Sequence, residues 1–224
     1  MASIATFADR ITDLISSDYI DFGSEGDLFN AAVAEVADSM PGELLLKYTV
    51  DPIDLDASPT TWTSVAANKV LLVTRLDASG GFNRECLPLS IQDFEKAKDS
   101  SSIYFATKHS PVYAYLTDAG TTALNILPVP DNTETAKVYY FAYPSTDLIA
   151  ASANTISGLP DECYQAIVLK ACINILGAFI SNAVQDEEDS EILAMLSSQI
   201  QTLKEAYTDE MLRFSEEGTA PRSE

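Results

Sequence analysis

The stretch LPDECYQAIVLKACINILGAFI, residues 159–180, decides the fold of this chain. Pro160 and the two acids after it suit a first helical turn, because that turn leaves its N–H groups unbonded and favours negative charge. From residue 166 to 180 nearly every position is apolar, on all faces, with Lys170 the only charge. Because Lys170 and Asn174 interrupt the run and it is shorter than a usual membrane span, we predict a helix buried from several sides, in a core or a subunit interface.

A second helix with a different pattern follows. Residues 185–190, QDEEDS, interrupt the apolar run, and Asp189 or Ser190 can cap the helix that comes next. Apolar residues then recur at spacings of three and four, which is typical of one buried stripe. They are Ile192, Leu196, Ile200, Leu203, Tyr207, Met211 and Phe214. Residues 215–224 show no such periodicity, so we expect a flexible tail.

Upstream of this pair the sequence predicts two further amphipathic helices, at residues 4–15 and 27–40, the second ended by Pro41 and Gly42. Residues 51–59 are rich in Asp, Pro and Ser and are predicted to form a loop.

The middle of the chain changes to short runs typical of β-strands. The runs are residues 69–75, 84–89, 103–108, 112–116, 122–127 and 136–143, with a short helix at 90–98. Because sequential strands with short connections usually pair antiparallel, the fold class is α+β: an antiparallel helix bundle with an inserted antiparallel β-sheet or barrel module. The predicted divisions are an N-terminal helical segment at 1–66, the β module at 67–146, a C-terminal helix pair at 147–214 and the tail at 215–224.

The composition excludes some functions. Of 224 residues, 34 are acidic and 13 basic, which gives a formal net charge of −21. Such a chain is not suited to bind nucleic acid around its length, because affinity for phosphate needs clustered Lys and Arg.

The cysteines Cys86, Cys163 and Cys172 are too scattered for a zinc site and indicate reduced, buried thiols. A basic leader with an apolar core is not visible at the start, so we expect no secretory signal and no membrane partner.

Catalytic and cofactor patterns are also not visible. His109 is the only histidine, and neither a G-x-S-x-G elbow, a Walker sequence nor a G-x-G-x-x-G occurs. Residues 186–189, DEED, carry the charge to attract a hard cation but fail the EF-hand spacing, so capping is the better interpretation. We therefore predict a protein that is not an enzyme, with no cofactor and no metal. A hydrolase with a buried cleft around His109 is kept as an alternative.

Aromatic residues leave a second alternative open, because a tyrosine-rich sheet can grip a glycan or another protein. On half-buried strands such residues are more often cross-strand packing. The set is Tyr104, Tyr113, Tyr115, Tyr139, Tyr140, Phe141 and Tyr143. Trp62, in a polar stretch, is the aromatic residue that we assign most readily to a partner contact.

The order of these pieces resembles the head-to-tail connector adaptors of tailed bacteriophages. The resemblance rests on LFNAAVAEVADSMPGELLL (28–46), VYAYLTDAGTTALNILPVP (112–130), the strand ending at Tyr143 and LPDECYQAIVLK (159–170), and it spans residues 28–214. The large β insertion is a departure, because simpler adaptors are mainly helical. The resemblance implies a non-enzymatic ring in the virion neck, typically dodecameric, that binds the portal and tail, stopper or nozzle proteins. DNA would pass through the ring without specific binding.

The resemblance and the helical patterns together predict contact residues. A helix that is apolar on all faces needs many partners, and neighbouring subunits of a ring would supply them. The expected subunit interface is Ile167, Ile173, Leu176, Phe179, Ile192, Leu196, Ile200, Leu203 and Tyr207. The expected portal contact is Met211, Phe214, Pro221 and Arg222.

Overall fold

A computed structural model describes residues 5–20, 25–49, 51–78, 81–183 and 190–217. The chain divides into two compact units, one formed by Met1–Tyr48 with Tyr143–Glu224 and the other by Thr49–Ala142. We call them the helical unit and the inserted unit. Helices dominate the first and strands the second, so the predicted α+β class is confirmed.

The described residues contain six α-helices. They are α1 (Phe7–Leu14), α2 (Glu25–Ser39), α3 (Gly42–Leu46), α4 (Ile91–Lys96), α5 (Tyr164–Ala183) and α6 (Ser190–Glu217). All except α4 belong to the helical unit. Helix α1 begins with a capping box: the Thr6 side chain accepts the N–H of Asp9, and the Asp9 carboxylate accepts the N–H of Thr6.

Helix α5 is the centre of the helical unit. Helices α1, α2 and α6 all pack against it, and Ile167, Ala171 and Leu176 are fully buried. Its polar interruptions have partners, since the Asn174 amide donates to the Leu28 carbonyl of α2. The apolar faces of α5 are thus largely covered within one chain. The burial of α5 therefore does not depend on ring neighbours, because three helices of the same chain enclose most of it.

Among the described residues, Asp161–Asn182 is the one helical stretch long and apolar enough to cross a membrane by length and composition. Most of its apolar side chains are buried inside the protein, and the core helix of a folded protein shows the same burial.

The inserted unit has two four-stranded sheets in its described residues. The strands are β1 (Ile53–Leu55), β2 (Thr61–Trp62), β3 (Asn68–Leu76), β4 (Asn83–Glu85), β5 (Leu87–Pro88), β6 (Val112–Asp118), β7 (Thr121–Leu127) and β8 (Ala136–Ala142). The first sheet has the order β1-β8-β3-β4 and the second the order β2-β7-β6-β5. All pairs are antiparallel except β5 with β6, which is parallel.

Both sheets contribute to one core. Leu55, Val73 and Val138 of the first sheet form a single buried cluster with Trp62 and Leu124 of the second. The two sheets therefore face each other across a shared apolar interior. A smaller cluster lies around Phe94, which attaches α4 to the second sheet.

Several local predictions are corrected by these pairings. The single antiparallel succession of strands is wrong, because β3 pairs with the distant β8 and one strand pair is parallel. Part of the predicted loop 51–59 is β1, which gains its partner from β8. Residues 103–108 do not form a strand, and only Thr107 makes an isolated bridge, to Ser110.

The helix ends also differ from the prediction. Helix α6 continues through Glu217, past the expected end at Phe214. Residues 218–224 lie outside the described residues. So do residues 184–189, which include the acidic stretch 186–189 and its predicted capping role.

Candidate interaction surfaces

The single histidine lies on the surface. His109 is 77% exposed, and its Nδ1 is 3.8 Å from Oδ2 of Asp77. The pKa of Asp77 is lowered, first by the N–H of Phe82, which donates to its carboxylate, and further by the Arg84 guanidinium and His109. His109 therefore does not line a buried cleft of the kind that a hydrolase needs.

The cysteines and carboxylates of the described residues do not form a metal site or a reactive thiol site either. Within the described ranges, no group of three or more His, Cys, Asp and Glu side chains is placed to hold a metal ion. Cys86, Cys163 and Cys172 are buried, and none of the three forms a disulfide. Burial raises the pKa of the Cys86 and Cys172 thiols to about 12, so both are neutral near pH 7.

The aromatic residues do not form one platform. Tyr139, Tyr140 and Phe141 lie on β8 of the first sheet, whereas Tyr113 and Tyr115 lie on β6 of the second. Phe141 is buried, Tyr113 and Tyr140 pack against the shared core, and the Tyr113 and Tyr115 rings stack edge to face at 5.9 Å.

The other two aromatic residues of the set lie off the strands. Tyr104 is in the irregular segment after α4, and Tyr143 belongs to the helical unit, where its hydroxyl donates to Asp38 at 2.5 Å. The assignment of Trp62 to a partner contact is wrong. Trp62 is only 7% exposed and packs against Tyr140 in the core, because β2 joins β7 and turns the indole inward.

The residues expected at a subunit interface fall into two groups. Ile167, Ile173, Leu176, Leu196 and Leu203 are buried within the chain itself. Phe179, Ile200 and Tyr207 are half-buried, and Ile192 is exposed. The second group retains surface that a neighbouring molecule can cover.

Of the four residues expected at the portal, Met211 is half-buried and Phe214 is buried, whereas Pro221 and Arg222 lie outside the described residues.

A polar contact joins three helices of the helical unit. The Lys170 ammonium on α5 lies 2.6 Å from Oε1 of Glu35 on α2 and 5.8 Å from the ring centre of Tyr207 on α6. The only charge in the apolar run of α5 thus has an anion and an aromatic face as partners. Burial, and then the Glu35 carboxylate, raise the pKa of the Tyr207 hydroxyl.

An exposed apolar surface on the inserted unit was not predicted from the sequence. Ile103 is 94% exposed and Phe82 76%, and the side chains of Tyr104 and Phe105 are also exposed. We call the three consecutive residues Ile103, Tyr104 and Phe105 the apolar patch. They form a run without polar alternation between Ser102 and Ala106, which is a pattern that a half-buried strand does not explain.

A buried ion pair holds the backbone of the inserted unit at residues 76, 128 and 129. The Arg75 guanidinium, 2% exposed, donates to the carbonyls of Leu76, Pro128 and Val129 and lies 2.8 Å from Oε2 of Glu134. The other carboxylate oxygen of Glu134 accepts from Lys108. These contacts lower the pKa of Glu134, with the hydrogen bond from Lys108 the largest cause and that from Arg75 next.

Charge is distributed unevenly between the units. The helical unit has 23 acidic and 6 basic residues, a formal charge of −17, whereas the inserted unit has 11 and 7, a charge of −4. The acidic character of the protein thus belongs mainly to the helices.

The described residues bring together neither a catalytic constellation nor a metal cluster, and each of the two units has exposed apolar side chains. Exposed apolar surface of this kind is typical of contacts with other macromolecules. The chain matches the model of the SU10 adaptor protein family over residues 2–220, and it belongs to that family. It is therefore a structural adaptor protein of a phage virion. Comparison with the curated proteins finds no match.

Proposed function

We propose that this protein forms a ring in the neck of the virion, typically a dodecamer, which joins the portal to the tail and through which DNA leaves the capsid. Membership of an adaptor family supports an assembly role. The role requires no catalysis, so the surface position of His109 is compatible with it.

The observation that carries the proposal is the surface of α6. This helix has 28 residues, about 12 Å longer than the 20-residue α5 at 1.5 Å per residue. It buries Leu196 and Leu203 in its own chain, but Ile192 and Met195 are exposed. A long helix that retains exposed apolar side chains on a folded unit is suited to contact a neighbouring subunit.

On this basis the helix pair α5 and α6 lies at the ring interface. The contact is made by the predicted interface residues that retain surface: Phe179, Ile192, Ile200 and Tyr207. The buried residues of the same set, such as Leu176 and Leu196, shape the helix pair from within and do not touch the neighbour.

The acidic helical unit is compatible with a channel for DNA. A lumen rich in Lys and Arg would hold phosphate groups, whereas a surface with a charge of −17 repels them and lets the duplex slide. The DNA would therefore pass without specific binding.

The portal contact is proposed for the C-terminal end of the chain. Met211 and Phe214 lie in the last turns of α6, and Pro221 and Arg222 follow in the sequence. A terminal segment that orders on a partner is a common way to attach a ring to a preformed complex.

A second candidate function is a binding module in the inserted unit. The exposed apolar patch, with Ile103 at its most exposed point, favours a protein partner. A glycan is less favoured, because the tyrosines are divided between two sheets and do not present one stacking face. An array of glycans probed with the full chain separates these partners, since binding there would support the sugar platform.

Assembly with the portal tests the proposal. Purified portal rings mixed with the full chain should give complexes with one added layer in electron micrographs. The chain with Met211→Ser, at a half-buried position, should bind less, whereas His109→Ala should bind as the wild type does. Failure of the wild-type chain to bind portal rings under any assembly condition would contradict the portal assignment.

A further inference from the structure

The hairpin of β6 and β7 extends past the rest of the second sheet. β6 has seven residues, but its other neighbour, β5, pairs only with Val112 and Tyr113. The chain then leaves the sheet, because Ser90 caps the helix α4, which begins at Ile91. In the described part of the chain, β6 from Ala114 to Asp118 is therefore paired on one side only, with β7.

The hydrogen bonds at β5 show which backbone groups of β6 lie on the unpaired side. The carbonyls of Pro111 and Tyr113 accept N–H groups from the chain at β5, so they point away from β7. Because this direction alternates along a strand, the N–H and C=O groups of Tyr115 and Thr117 point to the same side. Among the described residues these four groups have no hydrogen-bond partner. We call residues 114–117 of β6 the open edge.

The four strands at the ends of the two sheets each have a feature that hinders the addition of another strand. β4 carries two charges in three residues, and β5 contains Pro88. β2 has only two residues, and β1 has three, with the exposed Asp54 at its centre. The open edge has the sequence AYLT, without charge or proline. It is therefore a template on which another strand can pair.

The open edge is held in a regular extended form. β6 and β7 pair without a bulge from Val112 to Asp118, and the hydroxyl oxygens of Thr117 and Thr122 are 2.9 Å apart. Between the strands, residues 119 and 120 have φ angles of 48° and 82°, which a two-residue type I′ turn requires. Because the edge is already formed, a strand that pairs with it costs little reorganisation of this chain.

We propose that the open edge binds an extended segment of the protein on the tail side of the ring, which adds a fifth strand to the second sheet. The inference rests on the proposed ring and names one surface and one kind of partner within it. Tyr115 and Thr117 supply two backbone donors and two acceptors, which is the β-addition mode of peptide recognition. The added segment is uncharged or basic, because Asp118 ends the edge and the chain has a net charge of −21.

A second copy of this chain is a poorer occupant. Its other outer strands are short, charged or contain proline, so the edge that it can offer is the same open edge. Two identical edges pair about a two-fold axis, which joins two copies and does not continue around a ring. Since the proposed contacts with the portal and with neighbouring copies lie in the helical unit, the tail-side protein is the remaining neighbour for the inserted unit.

Proline substitutions at one cross-strand pair test the open edge. Thr117 of β6 lies opposite Thr122 of β7, and their N–H groups point away from the hairpin on opposite edges. Thr117→Pro removes a donor from the open edge, and the matched control Thr122→Pro removes one from the other edge. Neither change breaks a hydrogen bond between β6 and β7, so both full-length chains should unfold at similar temperatures.

Virions are assembled with each variant as the only source of this chain and are examined by electron microscopy and for their protein content. Thr117→Pro should weaken attachment of the tail about tenfold, because a hydrogen bond is lost and the proline ring keeps a strand away. Tailless heads that still contain this chain should then accumulate. Thr122→Pro should give tailed virions as the wild type does. A reconstruction of the wild-type neck should show a strand of the tail-side protein hydrogen-bonded to Tyr115 and Thr117.

The inference is overturned if Thr117→Pro virions carry tails as often as the control, or if the open edge in the wild-type neck is bare or paired with a second copy. The wild-type reconstruction decides the question where Thr117→Pro fails to fold. These outcomes are separate from the proposed function, because a ring of this chain on the portal would be seen with or without the added strand. A neck without this chain would contradict the ring itself.

Discussion

The ammonium nitrogen of Lys170 lies 2.6 Å from Oε1 of Glu35, so the one charge in the apolar run of α5 is paired with α2. Tyr207 of α6 covers the same ammonium with its ring. The Lys170 side chain is mostly buried, and its charge is accommodated because an anion and an aromatic face converge on it from two other helices.

This contact predicts a coupling between Lys170 and Tyr207. In a double-mutant cycle with Lys170→Met and Tyr207→Leu, the free energy of unfolding should show a coupling of about 0.5–1 kcal/mol. Tyr207→Phe keeps the ring and should preserve the coupling, which makes it the control. Additive effects of Lys170→Met and Tyr207→Leu in urea unfolding would show that the ring does not hold the ammonium.

A larger effect is expected at Arg75 in the inserted unit. Arg75→Met leaves Glu134 without its buried partner and removes the donor from three carbonyls, so it should destabilise the unit by about 3–5 kcal/mol. Lys108→Met breaks the other ion pair of Glu134, but Lys108 is exposed, and its loss should cost under about 1 kcal/mol. Equal losses for the two variants in denaturant unfolding would argue against a buried role for Arg75.

The same pair predicts a dependence on pH. The pKa of Glu134 is lowered in the folded protein, so the stability it confers is complete above its unfolded value of about 4.5 and is lost as the pH falls through the lower folded value. Thermal unfolding between pH 7 and pH 3 should therefore show a flatter acid limb for Glu134→Gln than for the wild type. Parallel limbs would contradict the assignment, while Glu95→Gln, at an exposed pair on α4, serves as the control.

Thiol labelling reports on the two units separately. Cys86 belongs to the inserted unit and Cys172 to the helical unit, and burial raises the pKa of each to about 12. At pH 8 neither should react with a thiol reagent while its unit is folded. With increasing denaturant, mass spectrometry of the labelled peptides should show each cysteine reacting when its own unit opens. Rapid labelling of either cysteine in the native protein would contradict the burial of these thiols.

Sequence patterns predicted the helices well, because the spacing that indicates a helix involves residues close together in the chain. Proline at 160 with the following acids marks the start of the central helix region, and the stripe from Ile192 to Phe214 lies on α6. The class α+β followed from the change of period in the middle of the chain.

The pairing of strands was not predictable in the same way, because it depends on residues far apart. β1 is a strand only because β8 lies beside it, and Trp62 is buried only because β2 joins β7. Conversely, residues 103–108 have the composition of a strand but do not pair with another strand, which leaves Ile103 exposed. The apolar patch was missed for this reason, because a run of apolar residues is expected to lie in the core until the strand pairing is known.

A high-resolution reconstruction of the neck of the virion is the decisive test of the proposed ring. It should show a ring of copies of this chain beneath the portal, with the C-terminal end of α6 against the portal and the helical unit around the DNA channel. A neck in which every density is assigned to other proteins, and this chain is absent, would contradict it.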